Sequence, residues 1–174
     1  MRIACILGPG FEDSEFRVPY DAFSAAGHEV IVIGAKKGEK VEGKAGKESW
    51  EPEMSIDEAR PESFEALFIP GGHSPDVLRA DPKFVNFTRG FEDKPIFAIC
   101  HGPQLLITAD MTQGRKMTAW KTVQKDLHYA GATVMDQEVV VDGNLVTSRK
   151  PEDLPAFIRE SLAMIGEQEP ARLH

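Results

Sequence analysis

Apolar positions along the chain recur in two periods, and the switching between them lays out the fold. Arg2 to Leu7 is a short apolar run closed by Gly8-Pro9-Gly10, which reads as a buried strand. From Glu15 to Ala26, the residues Phe16, Tyr20, Phe23 and Ala26 fall at helical spacing, and Gly27 supplies the stop. Glu29 to Ile33 is again a strand, rich in β-branched residues. This order predicts a parallel sheet with helical crossovers.

Residues 35–63 break the rhythm. Lys36, Lys37, Lys40, Lys44 and Lys47 are mixed with Glu39, Glu42 and Glu48, and Gly38, Gly43 and Gly46 interrupt the run. Interleaved acids and a lone aromatic, Trp50, predict a solvated hairpin or loop rather than a nucleic-acid patch, with Trp50 covering a core edge. Periodicity resumes at the Ala66–Ile69 strand, which ends at Pro70-Gly71-Gly72. A helical segment over 75–91 restarts at Asp81-Pro82, and a strand from Pro95 to Ile99 leads to Cys100. Next come a helix from Gly102 to Ala109, a short strand over 116–119 and a helix over 123–130. Two short strands, 138–141 and 145–148, flank the hairpin signal Asp142-Gly143. An amphipathic helix over 151–165 closes the pattern, and residues 167–174 are expected to fray. The expectation is one doubly wound α/β domain over 1–166.

Composition sharpens this only a little. A chain of 174 residues with 41% hydrophobic and 28% charged residues suits one globular domain with a full core. A net charge of −8 argues against binding duplex phosphates, so no stable nucleic-acid complex is expected. No apolar run is long enough to span a bilayer, and the opening residues are too short for a signal peptide. Two cysteines build neither a disulfide framework nor a four-cysteine zinc site, which points to a reduced cytoplasm.

Ligands of doubly wound sheets bind at the carboxyl ends of the strands. Three turns there carry polar residues beside glycines: 10–15, 70–76 and 98–103. In the third, Cys100 stands between a strand and a helix, with Ala98 and Gly102 flanking it at two residues' distance. Small residues at those positions are what a sharp nucleophile elbow requires. A helix start beside the sulfur favours thiolate, and free N–H groups there, with those of Gly71-Gly72, offer an oxyanion hole. Cys5, inside an apolar strand, reads as structural. His101 stays open between base and structural donor, while His28, His128 and His174 read as surface residues. His73 and Asp76 lack a third partner at metal-ligand spacing, so no metal is expected. Among the crowded acids, Asp13 and Ser14 suit helix capping. A carboxyl in a cleft near the thiolate would instead shuttle protons, a role open to Glu15 and, second, to Glu12.

Taken as a set, Phe11-Glu12-Asp13-Ser14-Glu15, Pro70-Gly71-Gly72-His73-Ser74-Pro75-Asp76 and Ala98-Ile99-Cys100-His101-Gly102-Pro103-Gln104 resemble the PfpI family. That family is a branch of the superfamily holding the Parkinson's-associated deglycase and the class I glutamine amidotransferase domains. The similarity continues through 138–143, Thr147-Ser148-Arg149 and 153–157, and is nearest to the bacterial stress-linked deglycase subgroup. The resemblance implies a flavodoxin-like sheet, a homodimer or larger homo-oligomer, and Cys100 as nucleophile. It implies that Glu15 hydrogen-bonds the thiol and transfers protons, with Glu12 nearby. In peptidase-type members the histidine after the cysteine pairs with an acid of a neighbouring subunit. The matching position is Asp76, one methylene shorter than the glutamate of archaeal members. Trp120 stands in the pocket wall where some relatives carry tyrosine. The implied activity is cofactor-independent turnover of reactive dicarbonyls or their early glycation adducts. A PfpI-type cysteine peptidase and a non-catalytic redox-sensing or holdase stress protein are the alternatives.

Overall fold

The computed structural model describes residues 1–166. In chain order the elements are β1 (Arg2–Ile6), α1 (Asp13–Ala25), β2 (Glu29–Gly34), β3 (Val41–Glu42), β4 (Ser49–Trp50) and β5 (Met54–Ser55). They continue with β6 (Ala66–Ile69), α2 (Ser74–Arg79), α3 (Pro82–Arg89), β7 (Ile96–Ile99), α4 (Pro103–Thr108) and β8 (Lys116–Met117). The last are α5 (Lys121–Tyr129), β9 (Thr133–Val134), β10 (Val140–Asp142), β11 (Leu145–Ser148) and α6 (Leu154–Ile165).

The central sheet has seven strands in the order β10-β11-β7-β6-β1-β2-β5, parallel except for the β10–β11 hairpin. Its five principal strands, β2-β1-β6-β7-β11, follow the flavodoxin-like winding, with the switch point between β1 and β6. Both faces are covered, which explains why β1, β6 and β7 read as unbroken apolar runs. Along β1, Ile3 and Cys5 face the core that contains Phe16, Phe23 and Phe157 of α1 and α6. Ala4 and Ile6 face the opposite core, with Leu78, Phe84, Leu105 and Leu127 of α2–α5.

The structure departs from the sequence expectations at several places. Within residues 35–63 the expected hairpin is present, β3 paired with β4, but the segment is not all solvated: β5 extends the central sheet alongside β2. Trp50 does cover a core edge, against Phe16 and Tyr20. The 75–91 segment does divide into two helices at the expected restart, where Asp81 caps the second by accepting from the Lys83 N–H at 3.0 Å. The hairpin turn lies at Gly143-Asn144 rather than Asp142-Gly143, since Asp142 pairs with Leu145. A parallel bridge to β9, unforeseen in the sequence, holds β8. His28 is buried, not on the surface: its ring lies 3.2 Å from the amino terminus and 2.5 Å from the Gly166 carbonyl. His128 is exposed as expected. The tail 167–174, with His174, lies outside the described residues.

Candidate active site

Cys100 follows β7 with φ +63°, a left-handed conformation that a side-chain-bearing residue adopts only when its surroundings hold it there. The holding groups are backbone. The Cys100 N–H donates to the Ser148 carbonyl at 2.9 Å, and its carbonyl accepts from the Trp120 N–H at 2.9 Å. One neighbour is a strand of the sheet and the other the start of α5. Gly102 must be glycine for a related reason: a Cβ there would lie 2.7 Å from the Ile69 carbonyl oxygen and 3.0 Å from the Ile99 nitrogen. The elbow is as expected, although the crowding comes from those backbones and not from Ala98.

The Gly71-Gly72 turn is zipped to the first turn. Glu12 N–H donates to the Gly71 carbonyl at 3.1 Å, and His73 N–H to the Gly10 carbonyl at 2.8 Å. This closeness excludes side chains. A Cβ on Gly71 would run into Glu15 Oε1 and lie 2.8 Å from Cys100 Cβ. Gly72 has φ +79°, and a Cβ there would press on the Gly10 carbonyl and the Phe11 backbone. Gly72 and His101 turn their N–H groups toward the Cys100 sulfur. Those two donors are the oxyanion-hole candidates; the Gly71 N–H faces Glu15 instead.

Glu15 is wholly buried in the first turn of α1, and neither of its oxygens makes a well-formed hydrogen bond among the described residues. The Cys100 thiol and the Gly71 N–H approach it in looser geometry. Burial, then the Glu12 charge, pushes its pKa up to about 8, so it holds its proton near neutrality. The Cys100 thiol is not the ready thiolate that a helix start alone suggests. Burial and an ionised Glu15 push it up to about 12, against the pull of the Gly72 and His101 N–H groups. The two groups are one titrating unit. When Glu15 is protonated its repulsion is gone, and its O–H is free to donate to the sulfur. Cys5 is also pushed up by burial, has no exposure, and is structural as expected.

A cavity of about 260 Å³ opens beside this pair, lined by Lys44, Gly72, His73, Asp76, His101 and Gln104. Burial holds His101 below its usual range; a Gln104 hydrogen bond and the Asp76 charge oppose this. Asp76 and His101 therefore share a cavity within one chain, yet no hydrogen bond joins them among the described residues. Trp120 does not line this cavity. Its backbone supports the elbow, and its side chain borders a separate hollow with Gln124, Asp136 and Arg149. A further hollow beside Leu7, Pro9, Val77 and Phe84 contains none of the site residues. Among the described residues no group of three or more His, Cys, Asp or Glu side chains could hold a metal, and no helix is long and apolar enough to cross a membrane.

Two residues have a part in the site that the sequence pattern does not indicate. Lys44 reaches in from the segment expected to be a solvated hairpin or loop and pairs with Glu12, Nζ to Oε2 at 2.8 Å. Asp13 does not cap α1: its carboxylate accepts from the Ala45, Lys47 and Glu48 N–H groups at 2.8–3.0 Å. Those bonds outweigh its burial and hold it below the usual carboxylate range. Nor does Ser14 cap the helix, since its hydroxyl donates to Glu12 Oε1 at 3.2 Å. Only the glycines around Lys44 hinted that the segment turns back toward the core.

A model of the DJ-1/PfpI family matches residues 1–164. The chain is 56% identical over 168 residues to protein/nucleic acid deglycase 2 of Escherichia coli K12, covering 95% of this chain and 98% of that one. It is 53% identical over 167 residues to general stress protein 18 of Bacillus subtilis, covering 94% and 97%. Among solved structures, a two-domain protein of Anabaena variabilis with DJ-1/ThiJ/PfpI-like and ferritin-like domains superposes with a TM-score of 0.93 at 38% identity. That match covers 99% of this chain and 52% of the two-domain one.

Proposed function

The chain belongs to the DJ-1/PfpI family, and from that premise we propose that it is a stress-linked, cysteine-dependent deglycase that acts on reactive dicarbonyls or their early adducts with amines. One observation carries the reading: a cysteine in a strained elbow shares a buried proton site with Glu15. A simple structural thiol needs neither.

The chemistry closes with side chains and water alone. The Cys100 sulfur adds to the aldehyde carbon of methylglyoxal, and the Gly72 and His101 N–H groups face the oxygen that gains charge. With a glycated amine, the same C–S bond forms as the C–N bond breaks, and the amine leaves with a proton. The thiol proton passes through the ionised form of Glu15 to the new hydroxyl or the leaving amine. The carboxylate so regenerated removes the proton from the former aldehyde carbon and returns one to the adjacent carbon. The aldehyde carbon is thereby oxidised to a thioester while the ketone is reduced to an alcohol, with no outside oxidant. Water then cleaves the thioester, releasing lactate and restoring the thiol. Glyoxal gives glycolate by the same steps. Both cysteines are free thiols, which suits the reducing cytoplasm we assign to the protein. A homodimer or larger assembly is part of the same proposal, checked by sedimentation.

The test is lactate released per chain, from free methylglyoxal and, in parallel, from a glycated amino acid with free dicarbonyl held low by a trap. Many turnovers that vanish in Cys100→Ser support an enzyme; one equivalent per chain leaves only scavenging or redox sensing. The shared cavity of Asp76 and His101 favours a second reading, a PfpI-type peptidase. It requires Asp76 to orient His101, and Asp76→Asn tests that directly.

A further inference from the structure

Between β3 and β4, residues 43–48 form a strap across the turn that follows β1. Its leading end is sewn down by backbone. Gly10 N–H donates to the Glu42 carbonyl and Lys44 N–H to the Phe11 carbonyl, both at 2.9 Å, and Gly43 bridges Phe11. The rest of it depends on one side chain. The Asp13 carboxylate accepts three strap N–H groups, from Ala45, Lys47 and Glu48. Gly43 lies so close above that carboxylate that a Cβ there would collide with it. From this strap the Lys44 ammonium reaches Glu12, whose other oxygen accepts from Ser14. Both oxygens of Glu12 are thus partnered, while those of Glu15 are not.

We propose that the strap serves the reaction: Asp13 is a positioning residue that holds the Lys44 ammonium over Glu12, and that ammonium is the counter-charge under which Cys100 becomes a thiolate. The electrostatic balance favours it. The charged and titratable groups around the Cys100–Glu15 pair are Glu12 and Asp13 from the start of α1, His73 from the turn before α2, Asp76 from α2, His101 from the elbow, and Lys44. Three are acids, and the Asp13 charge is already met by its own N–H donors. Burial keeps His101 neutral. Lys44 is the cation in an ion pair at this edge, and its field also reaches Glu15 and Cys100. Without it, Glu12 would oppose each new negative charge in the site. A strap this well anchored, carrying the single lysine that enters the cavity, has more than a covering role.

The inference rests on Cys100 being the reactive thiol, and its test does not need turnover. The rate of Cys100 alkylation by iodoacetamide, followed by mass spectrometry from about pH 6 to about pH 9, reports thiolate directly. The variants are K44M, K44R, D13N and the D13N/K44M pair. K44M should slow alkylation near neutrality about threefold to tenfold and move the ascending limb to higher pH, and K44R should restore most of it. D13N should shift the profile the same way, yet add less than about twofold once Lys44 is gone, because it acts through that residue. If D13N does not fold, G43A takes its place, since its methyl drives the strap off an intact Asp13. A K44M profile matching the native one overturns the proposal, and so does full multiplication of the D13N and K44M effects. An enzyme with no dicarbonyl turnover but these alkylation shifts would remove the proposed function and leave this inference standing.

Discussion

The elbow after β7 and the strap between β3 and β4 meet at the same proton site, but they are held by different means. The elbow is fixed by main chain: Cys100 is strung between Ser148 of β11 and the Trp120 N–H, with Gly102 pressed against the Ile69 and Ile99 backbones. The strap is fixed largely by one carboxylate, Asp13. A nucleophile must be aimed, and backbone under tension from two packed elements aims it rigidly. A counter-charge need only lie within a few ångströms, so a tethered lysine suffices. The comparison teaches that geometry and electrostatics in this site are separable by mutation. Changes at the elbow should abolish chemistry, and changes at the strap should retune it.

The largest effect should therefore come from the elbow. Cys100→Ser removes the sulfur that forms the C–S bond, and lactate release should fall by roughly 10⁴-fold or more. A residual rate near the native one would move the chemistry elsewhere. Next is the proton. Glu15→Gln keeps the shape and removes the titrating group, so kcat/KM should drop by about 10²–10⁴-fold. Asp76→Asn, which acts only through His101, should cost far less. If gel filtration shows both variants assembled and the order is reversed, the peptidase-like arrangement replaces this one.

The same contrast explains what could be read from the sequence. The elbow was legible because its requirements are local: a strand, a nucleophile, small neighbours and a helix start within a few residues. The parallel sheet was legible because burial on both faces writes continuous apolar runs. Glu15 could be singled out by its place in a strand-to-helix turn. The strap could not. Its position comes from Asp13 meeting backbone N–H groups more than thirty residues away, and backbone donors leave no mark in a sequence. For the same reason Asp13 looked like a helix cap, and His28 like a surface residue rather than a partner of the amino terminus.

The buried acid should also leave a trace in stability. Glu15 titrates at about 8 in the folded chain against an ordinary value of 4.5, so the native state holds its proton more tightly than the unfolded one. The stabilisation is complete below about pH 4.5 and is lost as pH rises through about 8, on the order of 5 kcal/mol in all. The thiols titrate ordinarily near 9.0 and are raised from there, so they contribute only at higher pH. Urea unfolding at a series of pH values should show that decline in the native chain and a flatter profile in Glu15→Gln. An equal slope in both would mean that Glu15 is ionised in the folded protein at neutral pH.

The smallest effects compare the two regions through their glycines. Gly102→Ala at the elbow sets a methyl 2.7 Å from a carbonyl oxygen of β6, and neither the strand nor the strained Cys100 can yield without the other. It should cost about 2 kcal/mol or more and disturb alkylation of Cys100 along with stability. Gly46 in the strap has φ +70°, and a methyl there meets nothing within 4 Å. Gly46→Ala therefore carries only the backbone penalty of a left-handed residue, about 1 kcal/mol, and should leave the nucleophile untouched. Thermal unfolding measures the first quantity and the iodoacetamide rate the second. Should Gly46→Ala slow alkylation as much as Gly102→Ala does, the strap would be aiming the sulfur as well as balancing its charge, and the separation drawn between the two regions would fail.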